Sequence, residues 1–324
     1  MDGEALREAV RAGGLLAQDR PVVAMLSGGR DSVCLLDVAV ALSEPAGVGA
    51  LHVNYGLREQ ADADERHCVA LCERLGVELE VVRARRPART EDTGDQPSGG
   101  ISGNVQAWAR EVRYRAAGAL AEQRDALIAT GHTASDQVET ILYRLAASPG
   151  RRALQGMVAS EGRLVRPLLE LTREQTTAYC EARGLEWRED ESNDSERYAR
   201  ARVRNGLVPA LRAVHPAAEA NVLRTARLLR EETELLDGLV AEELAGGQSI
   251  ALARLEALPA ALARLVVVRL AEQATGVYVP QAGDRVGEIL ALGNRGGAAE
   301  LHVGGQAGAV IAGGVLRVRK LPPR

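Results

Sequence analysis

Six residues near the start of the chain carry the densest chemistry, Ser27-Gly28-Gly29-Arg30-Asp31-Ser32. Hydroxyls, glycine backbone and one carboxylate at this spacing can hold a phosphate and a divalent cation together. The apolar run Val22-Val23-Ala24-Met25-Leu26 leads in, and Val33-Cys34-Leu35-Leu36 leads out at helical spacing. The pattern reads as a buried strand, a glycine turn and the first turn of a helix. The first amides of a helix lack internal partners and the dipole is positive there, so such a junction attracts anions. Gly28 and Gly29 let the backbone approach a phosphate and permit positive φ. Ser27 and Ser32 add hydroxyl donors. Asp31 would repel a phosphate unless it holds a Mg²⁺ that the phosphate shares.

Two other phosphate loops are excluded. There is no G-x-x-x-x-G-K-[ST], and the chain's only lysine is Lys320. No G-x-G-x-x-G follows the strand. The six residues resemble the SGGxDS loop of the PP-loop ATP pyrophosphatases. That resemblance implies ATP as substrate, cleavage between its α and β phosphates, and Ser27, Gly28, Gly29, Arg30, Asp31 and Ser32 around the nucleotide.

A second group lies about a hundred residues on. Gly131-His132-Thr133-Ala134-Ser135-Asp136-Gln137-Val138-Glu139-Thr140 follows an apolar run and opens a helix. His132 and Asp136 are four apart and Glu139 three further, so all three can share one face. Asp136 can complete a metal site with Asp31 or accept a proton, although an acid at a helix N-terminus is also favoured by the dipole alone. Arg110 and Arg113, three apart, also share a helix face and can stabilise charge in phosphoryl transfer.

The elements that must position these groups alternate. A helix to about Leu42 is followed by a strand, Val48–Asn54, then a helix over 60–75 capped by Gly76 and a strand over 77–82. A further strand spans 126–130. Alternating strands and helices indicate an α/β fold, a Rossmann-like doubly wound parallel sheet. Ligands of such sheets bind at the carboxyl ends of the strands. The first loop and His52 both lie at such ends, which puts ATP across them. Residues 83–101, rich in Arg, Pro, Gly and Ser, break the pattern and read as a long loop, with Ser102-Gly103-Asn104 capping the next helix.

Composition narrows the class. A chain of 324 residues suggests two domains, and 46% hydrophobic content is ordinary for a soluble protein. No apolar run is long enough to cross a bilayer, and residues 1–20 lack a signal peptide's apolar core. The four cysteines are then expected reduced, in the cytoplasm. Cys68 and Cys72 lie one helical turn apart, and without further ligands nearby they read as packing. The net charge of −4 argues against indiscriminate nucleic-acid binding. Basic charge is nevertheless clustered: residues 197–230 hold eight arginines, with Glu219 the only acid. That run reads as a phosphate-backbone footprint or a solvated basic face.

The segments SGGRDS, HVNYGLR, SGNVQAWAREVRY, TGHTASDQVET, LQGM, RPLL and DESNDSERYARARVRN occur in the order of one tRNA-modifying branch of the PP-loop group. Over residues 20–210 the chain resembles the tRNA(Ile)-lysidine synthetase family. Two positions depart from that family: Ser135 stands where a second acid is usual, and Ala201 where an Asn is usual. The resemblance implies a catalytic domain over 1–212 and a smaller, mainly helical tRNA-binding domain over 213–324. In the second, a long helix over 217–244, helix over 251–271 interrupted at Pro259, and a short C-terminal β-hairpin within 298–319 are expected.

The same resemblance implies the reaction. The C2 oxygen of the wobble cytidine of a CAU-anticodon tRNA(Ile) attacks the α-phosphorus of ATP, pyrophosphate leaves, and free L-lysine then displaces AMP. Asp31 and Asp136 would hold Mg²⁺, Arg113 would neutralise charge, and His132 would orient a phosphate or the base. Glu139 would meet the lysine ammonium. Arg110, Arg200, Arg202 and Arg204 would contact tRNA. A homodimer is compatible with the sequence. The rivals are a tRNA 2-thiolation enzyme of the same fold, a small-molecule adenylating ligase and a non-catalytic nucleotide-binding regulator.

Overall fold

The structure is a computed structural model that describes residues 2–16, 20–43, 47–57, 60–84, 105–147, 150–188 and 199–322. Most of the expected long loop, the Ser102–Asn104 cap, Arg58 and the segment 189–198 lie outside the described residues. The chain divides into two compact units, 1–147 with 156–223, and 148–155 with 224–324.

The first unit is built on a six-stranded sheet: β1 (Val22–Met25), β2 (Val48–Asn54), β3 (Glu78–Arg83), β4 (Leu127–Ala129), β5 (Ser160–Glu161) and β6 (Leu164–Val165). Its order is β3-β2-β1-β4-β6-β5, parallel throughout except for the edge strand β5. Val22 pairs with Val48 on one side and Leu127 on the other. The order reverses between β1 and β4, so the loops that follow those two strands flank the switch point.

Side chains alternate across this sheet, and both faces are buried. Val22, Ala24, Val48, Ala50, Leu127 and Ala129 join one core. Val23, Met25, Leu51, Val53 and Ile128 join the other. The near-continuous apolar runs of the strands are what a doubly covered parallel sheet requires. Helices α1 (Gly3–Ala12), α2 (Arg30–Leu42), α3 (Ala61–Leu75), α4 (Val105–Gln123) and α5 (Ala134–Ala147) precede the sheet's far edge, and α6 (Arg173–Ala182) follows it. Leu35 and Leu36 of α2 are fully buried. Each such leucine stabilises by about 1.5–3 kcal/mol relative to exposure, which holds the start of α2 firmly against the sheet. The unit closes with α7 (Ala199–Arg202), a π-helical turn at Val203–Leu207 and α8 (Val208–Val214).

The long helix α9 spans Ala218–Leu244. The second unit holds β7 (Ser249–Ala251), α10 (Leu252–Ala257), α11 (Ala260–Thr275), α12 (Val286–Asn294) and β8 to β10 (Ala299–Gly304, Ala307–Ala312, Val315–Lys320). Pro259 stands between α10 and α11, where the sequence predicts the helix to be interrupted, and is the N-cap residue of α11. The expected hairpin is larger. The three last strands form an antiparallel meander that β7 extends to four, in the order β7-β10-β9-β8. The stretch contains two turns rather than one: Gly305-Gln306, and Gly313-Gly314 at φ +57° and +73°. Consecutive positive φ values are what a tight hairpin turn needs.

Candidate active site

The loop Ser27–Gly29 joins β1 to α2 as its sequence predicts. Gly28 sits at φ +86°, a conformation that favours glycine. The loop is braced internally. The Ser27 amide donates to Ser32 Oγ at 3.1 Å, and Ser32 Oγ donates to the Gly29 carbonyl at 2.7 Å. The two serine hydroxyls lie 3.1 Å apart. His52 does not line the site. It is buried on the other face of β2, where Nδ1 donates to the Leu26 carbonyl at 2.9 Å and braces the loop from behind. Its neighbours Leu51 and Val53 face the cavity instead.

The turn after β4 crosses the start of α2 at backbone contact. A Cβ on Gly131 would stand 2.8 Å from the Asp31 carbonyl oxygen, so glycine is required there. His132 follows, with Nδ1 2.8 Å from Thr130 Oγ1. Burial, reinforced by the Arg166, Arg113 and Arg200 charges and opposed by Asp136, lowers its pKa to about 4. The imidazole is therefore neutral near pH 7. Asp136 caps its own helix: Oδ2 accepts from the Thr133 amide and Thr133 Oγ1, each at 2.9 Å. Its Oδ1 lies 3.6 Å from Arg173 and 3.8 Å from Arg204.

Two residues of α6 complete this wall, and the sequence reading missed both. Thr176, fully buried, places Oγ1 2.5 Å from Asp31 Oδ1. Arg173 lies one turn earlier, facing Asp136 and Glu139. Thr172 and Gln175 form a capping box at this helix start. That spacing, Thr-x-x-Gln, is legible in the sequence and marks the helix. Ser135 donates no carboxylate to the cavity. Its Oγ accepts the Arg173 amide at 3.2 Å, satisfying the first orphan donor of α6.

Glu139 and Arg204 face each other. Glu139 is 4% exposed and lines a smaller cavity of about 210 Å³ with Ser135, Arg173, Glu174, Arg204 and Arg212. Arg204 stands in the π-helical turn at Val203–Leu207 and reaches Glu139, while Arg200 and Arg202 on α7 are exposed. Ala201 is buried at 4%. Its departure from the resembled family thus falls on the packing face of α7, not on the arginine face.

On α4, Arg113 lines the main cavity and Arg110 does not. Arg110 is exposed, its guanidinium 4.5 Å from the Tyr114 ring centroid. Arg113 lies 5.7 Å from the same ring, and among the described residues its buried Nε has no hydrogen-bond partner.

The first loop, the turn after β4, Asp136, Arg113, Arg173 and Arg204 bound one cavity of about 580 Å³ at the switch point. Among the described residues its charged lining comprises Arg30, Arg113, Arg173, Arg188 and Arg204 against Asp31, Asp64 and Asp136. Five guanidiniums facing three carboxylates, beside the N-terminus of α2, make a site for a polyanion.

Residues 5–211 match the PP-loop domain family. The chain belongs to the PP-loop family. It is 39% identical over 225 residues to the tRNA(Ile)-lysidine synthase of Pseudomonas fluorescens strain Pf0-1, covering 67% of this chain and 48% of that one. It is 38% identical over 276 residues to the tRNA(Ile)-lysidine synthase of Azoarcus sp. strain BH72, covering 82% of this chain and 58% of that one. The chain thus spans about half the length of the curated relatives it matches. Among solved structures it resembles the U34-tRNA thiolase NcsA from Methanococcus maripaludis, at 18% identity and a TM-score of 0.55 over 70% of this chain and 78% of that one. That likeness is one of fold.

The PP-loop site has a donor set that fits Mg²⁺. Asp31 and Asp136 are hard oxygen ligands lining one cavity, each with one oxygen held by a protein hydroxyl, Thr176 or Thr133. All four cysteines are buried, and none lines the cavity. Burial pushes the Cys68 and Cys72 thiols up to about 12, so both are protonated and unreactive near neutrality. Among the described residues no helix is long and apolar enough to cross a membrane.

Proposed function

We propose that this protein is a tRNA(Ile)-lysidine synthetase, ligating lysine to C2 of the wobble cytidine of a CAU-anticodon tRNA(Ile) through an adenylated intermediate. The reading rests on one observation: Ser27, Gly29, Asp31 and Ser32 of the first loop share a cavity with Arg113, His132 and Asp136. Such a site can hold a triphosphate along the loop and put a guanidinium at the bond that breaks.

The residues divide the work. The loop amides with Ser27 and Ser32 hold phosphate oxygens. Asp31 and Asp136 would hold Mg²⁺, which supplies charge neutralisation on the phosphates. Among the described residues Arg113 is the lining arginine that has no carboxylate partner, so its charge is available to the α-phosphate. Neutral His132 can donate one hydrogen bond to a phosphate or a base without adding charge. Glu139 receives the lysine ammonium in the smaller cavity, and Arg200 and Arg202 meet the tRNA backbone from their exposed helix. The reacting cytidine must leave its stack to enter. The four buried cysteines, none of which lines the cavity, weigh against the 2-thiolation rival, which needs a reactive sulfur at the site.

The test is pyrophosphate release from ATP and Mg²⁺, with and without this tRNA, followed by lysine addition. Release that requires the tRNA, then lysine-dependent loss of AMP from it, supports the reading. Release with a small acid or amide in place of tRNA moves the assignment to the ligase rival. ATP binding without turnover under any condition favours the regulator.

A further inference from the structure

The chain segment after α6 returns to the phosphate loop. The Arg188 amide donates to the Gly28 carbonyl at 2.9 Å, at the apex of that loop. The Arg188 side chain then crosses to α3, where Nε pairs with Asp64 Oδ1. Asp64 is 8% exposed, while the Arg188 side chain is 37% exposed. Both line the main cavity, as does the neighbouring Trp187.

The function drawn from the sequence motifs leaves this pair without a role. A buried carboxylate lining a polyphosphate site is unfavourable unless a cation stands between it and the phosphates. Arg188 meets that need. A guanidinium offers five donors in a fixed fork, and the pairing with Asp64 uses Nε. The two terminal nitrogens can then meet phosphate oxygens in paired, charge-assisted hydrogen bonds. The backbone bond to Gly28 fixes the arginine's Cα beside the loop, so little conformational freedom remains to be lost on binding.

We propose that Arg188 binds the phosphate tail of the nucleotide, with Asp64 as its positioning partner, as a second cationic contact beside the Ser27–Ser32 loop. The proposal rests on the reading of the cavity as an ATP site. Asp64 acts through Arg188 and touches no phosphate.

The test is calorimetric titration of ATP and of AMP, each with Mg²⁺, into wild type, Arg188→Ala, Arg188→Lys and Asp64→Asn. Charge-assisted hydrogen bonds predict that Arg188→Ala weakens ATP by about 10–100-fold and AMP by less than about twofold. Arg188→Lys should recover part of the loss, because it keeps the charge and loses the fork. Asp64→Asn should weaken ATP less than Arg188→Ala does. In the Asp64→Asn background, Arg188→Ala should still discriminate ATP from AMP. Equal losses for ATP and AMP, or a loss that vanishes once Asp64 is changed, would reduce Arg188 to a structural tie and overturn the proposal. Unchanged ATP affinity in Arg188→Ala would overturn it too, while leaving the ATP reading intact. A wild type that binds neither nucleotide removes the ATP reading and the proposal with it. Thermal melts of each variant show whether the fold is kept, and Arg188→Lys carries the test if the alanine variant does not fold.

Discussion

Arg204 grips Glu139 through two hydrogen bonds, Nε to Oε1 at 2.7 Å and Nη2 to Oε2 at 3.1 Å. The sequence assigns these residues to different ligands, an RNA phosphate and the lysine ammonium, yet they face one another. A cation arriving at Glu139 therefore competes with Arg204. Removing Arg204 alone leaves a buried carboxylate whose remaining cation among the described residues is the more distant Arg173, 3.5 Å away. Arg204→Ala should cost about 2–4 kcal/mol of stability, less than for a fully buried pair because Arg204 retains some exposure. Urea denaturation checks this. Adding Glu139→Gln should restore most of the loss, and an additive double variant would show that the pair is not coupled.

How much of this was legible in the sequence depends on the kind of signal. The first loop, the strands and the start of α5 announce themselves because glycine, apolar runs and capping acids act locally. Arg113 is separated from Arg110 only by packing. Helical spacing puts both on one face, but the rim of that face is exposed and only Arg113 turns inward. The π-helical turn that carries Arg204 leaves no periodic trace, and the alternation of Arg200, Arg202 and Arg204 does not by itself divide them into outward and inward members. His52 lies at the right strand end, but an alternating strand sends it to the opposite face from Leu51. Thr176 and Arg173 were within reach, since Thr172 and Gln175 mark their helix. Their roles were not, because their partners lie 145 and 34 to 37 residues away in sequence.

Asp136 has two functions in the structure, a helix cap through Oδ2 and a charged face through Oδ1. Asp136→Asn keeps an acceptor for Thr133 and loses the charge. It should retain the fold and tRNA affinity while pyrophosphate release falls by about 10²–10³-fold. Single-turnover release and filter binding on the same preparation measure both. Near-normal release would remove Asp136 from the chemistry.

Gly131 is fixed by close approach rather than by φ. A Cβ there would lie 2.8 Å from the Asp31 carbonyl oxygen and 3.1 Å from the Ser32 amide nitrogen. Neither is the end of a flexible side chain, so α2 or the β4–α5 turn must move. Gly131→Ala should cost about 1–3 kcal/mol and weaken ATP, because the displaced atoms belong to the phosphate loop's helix. A thermal melt with nucleotide titration checks both, and an unchanged melt would show that the crossing is looser than the geometry indicates.

Glu65 is tied to Arg83 and to Asn54 Nδ2, the latter at 2.8 Å. These hydrogen bonds, Arg83 first, pull its carboxyl down to about 2 from 4.5. A carboxylate with a lowered folded pKa stabilises fully above its unfolded value and loses that contribution as pH falls through the folded one. Glu65→Gln should thus be less stable than wild type near pH 7, and the gap should close between pH 4.5 and about 2. Urea midpoints across that range test it, and a gap independent of pH would assign the loss to packing.

His132 follows the same linkage with a base. Its folded pKa of about 4 lies below the ordinary 6.5, chiefly because burial disfavours the imidazolium. Between those values the unfolded chain binds the extra proton, so stability rises with pH across the window and is complete above 6.5. His132→Gln removes the titrating group. The variant should therefore lose less stability than wild type on going from about pH 7 to about pH 4.5, measured as the difference in urea midpoints. The rate should agree with the melt. If His132 acts as a neutral donor, pyrophosphate release in wild type should show no inflection near pH 6.5 that is absent from the variant. A His132-dependent inflection there would mean that the imidazole is solvated in the working enzyme and titrates at its ordinary value.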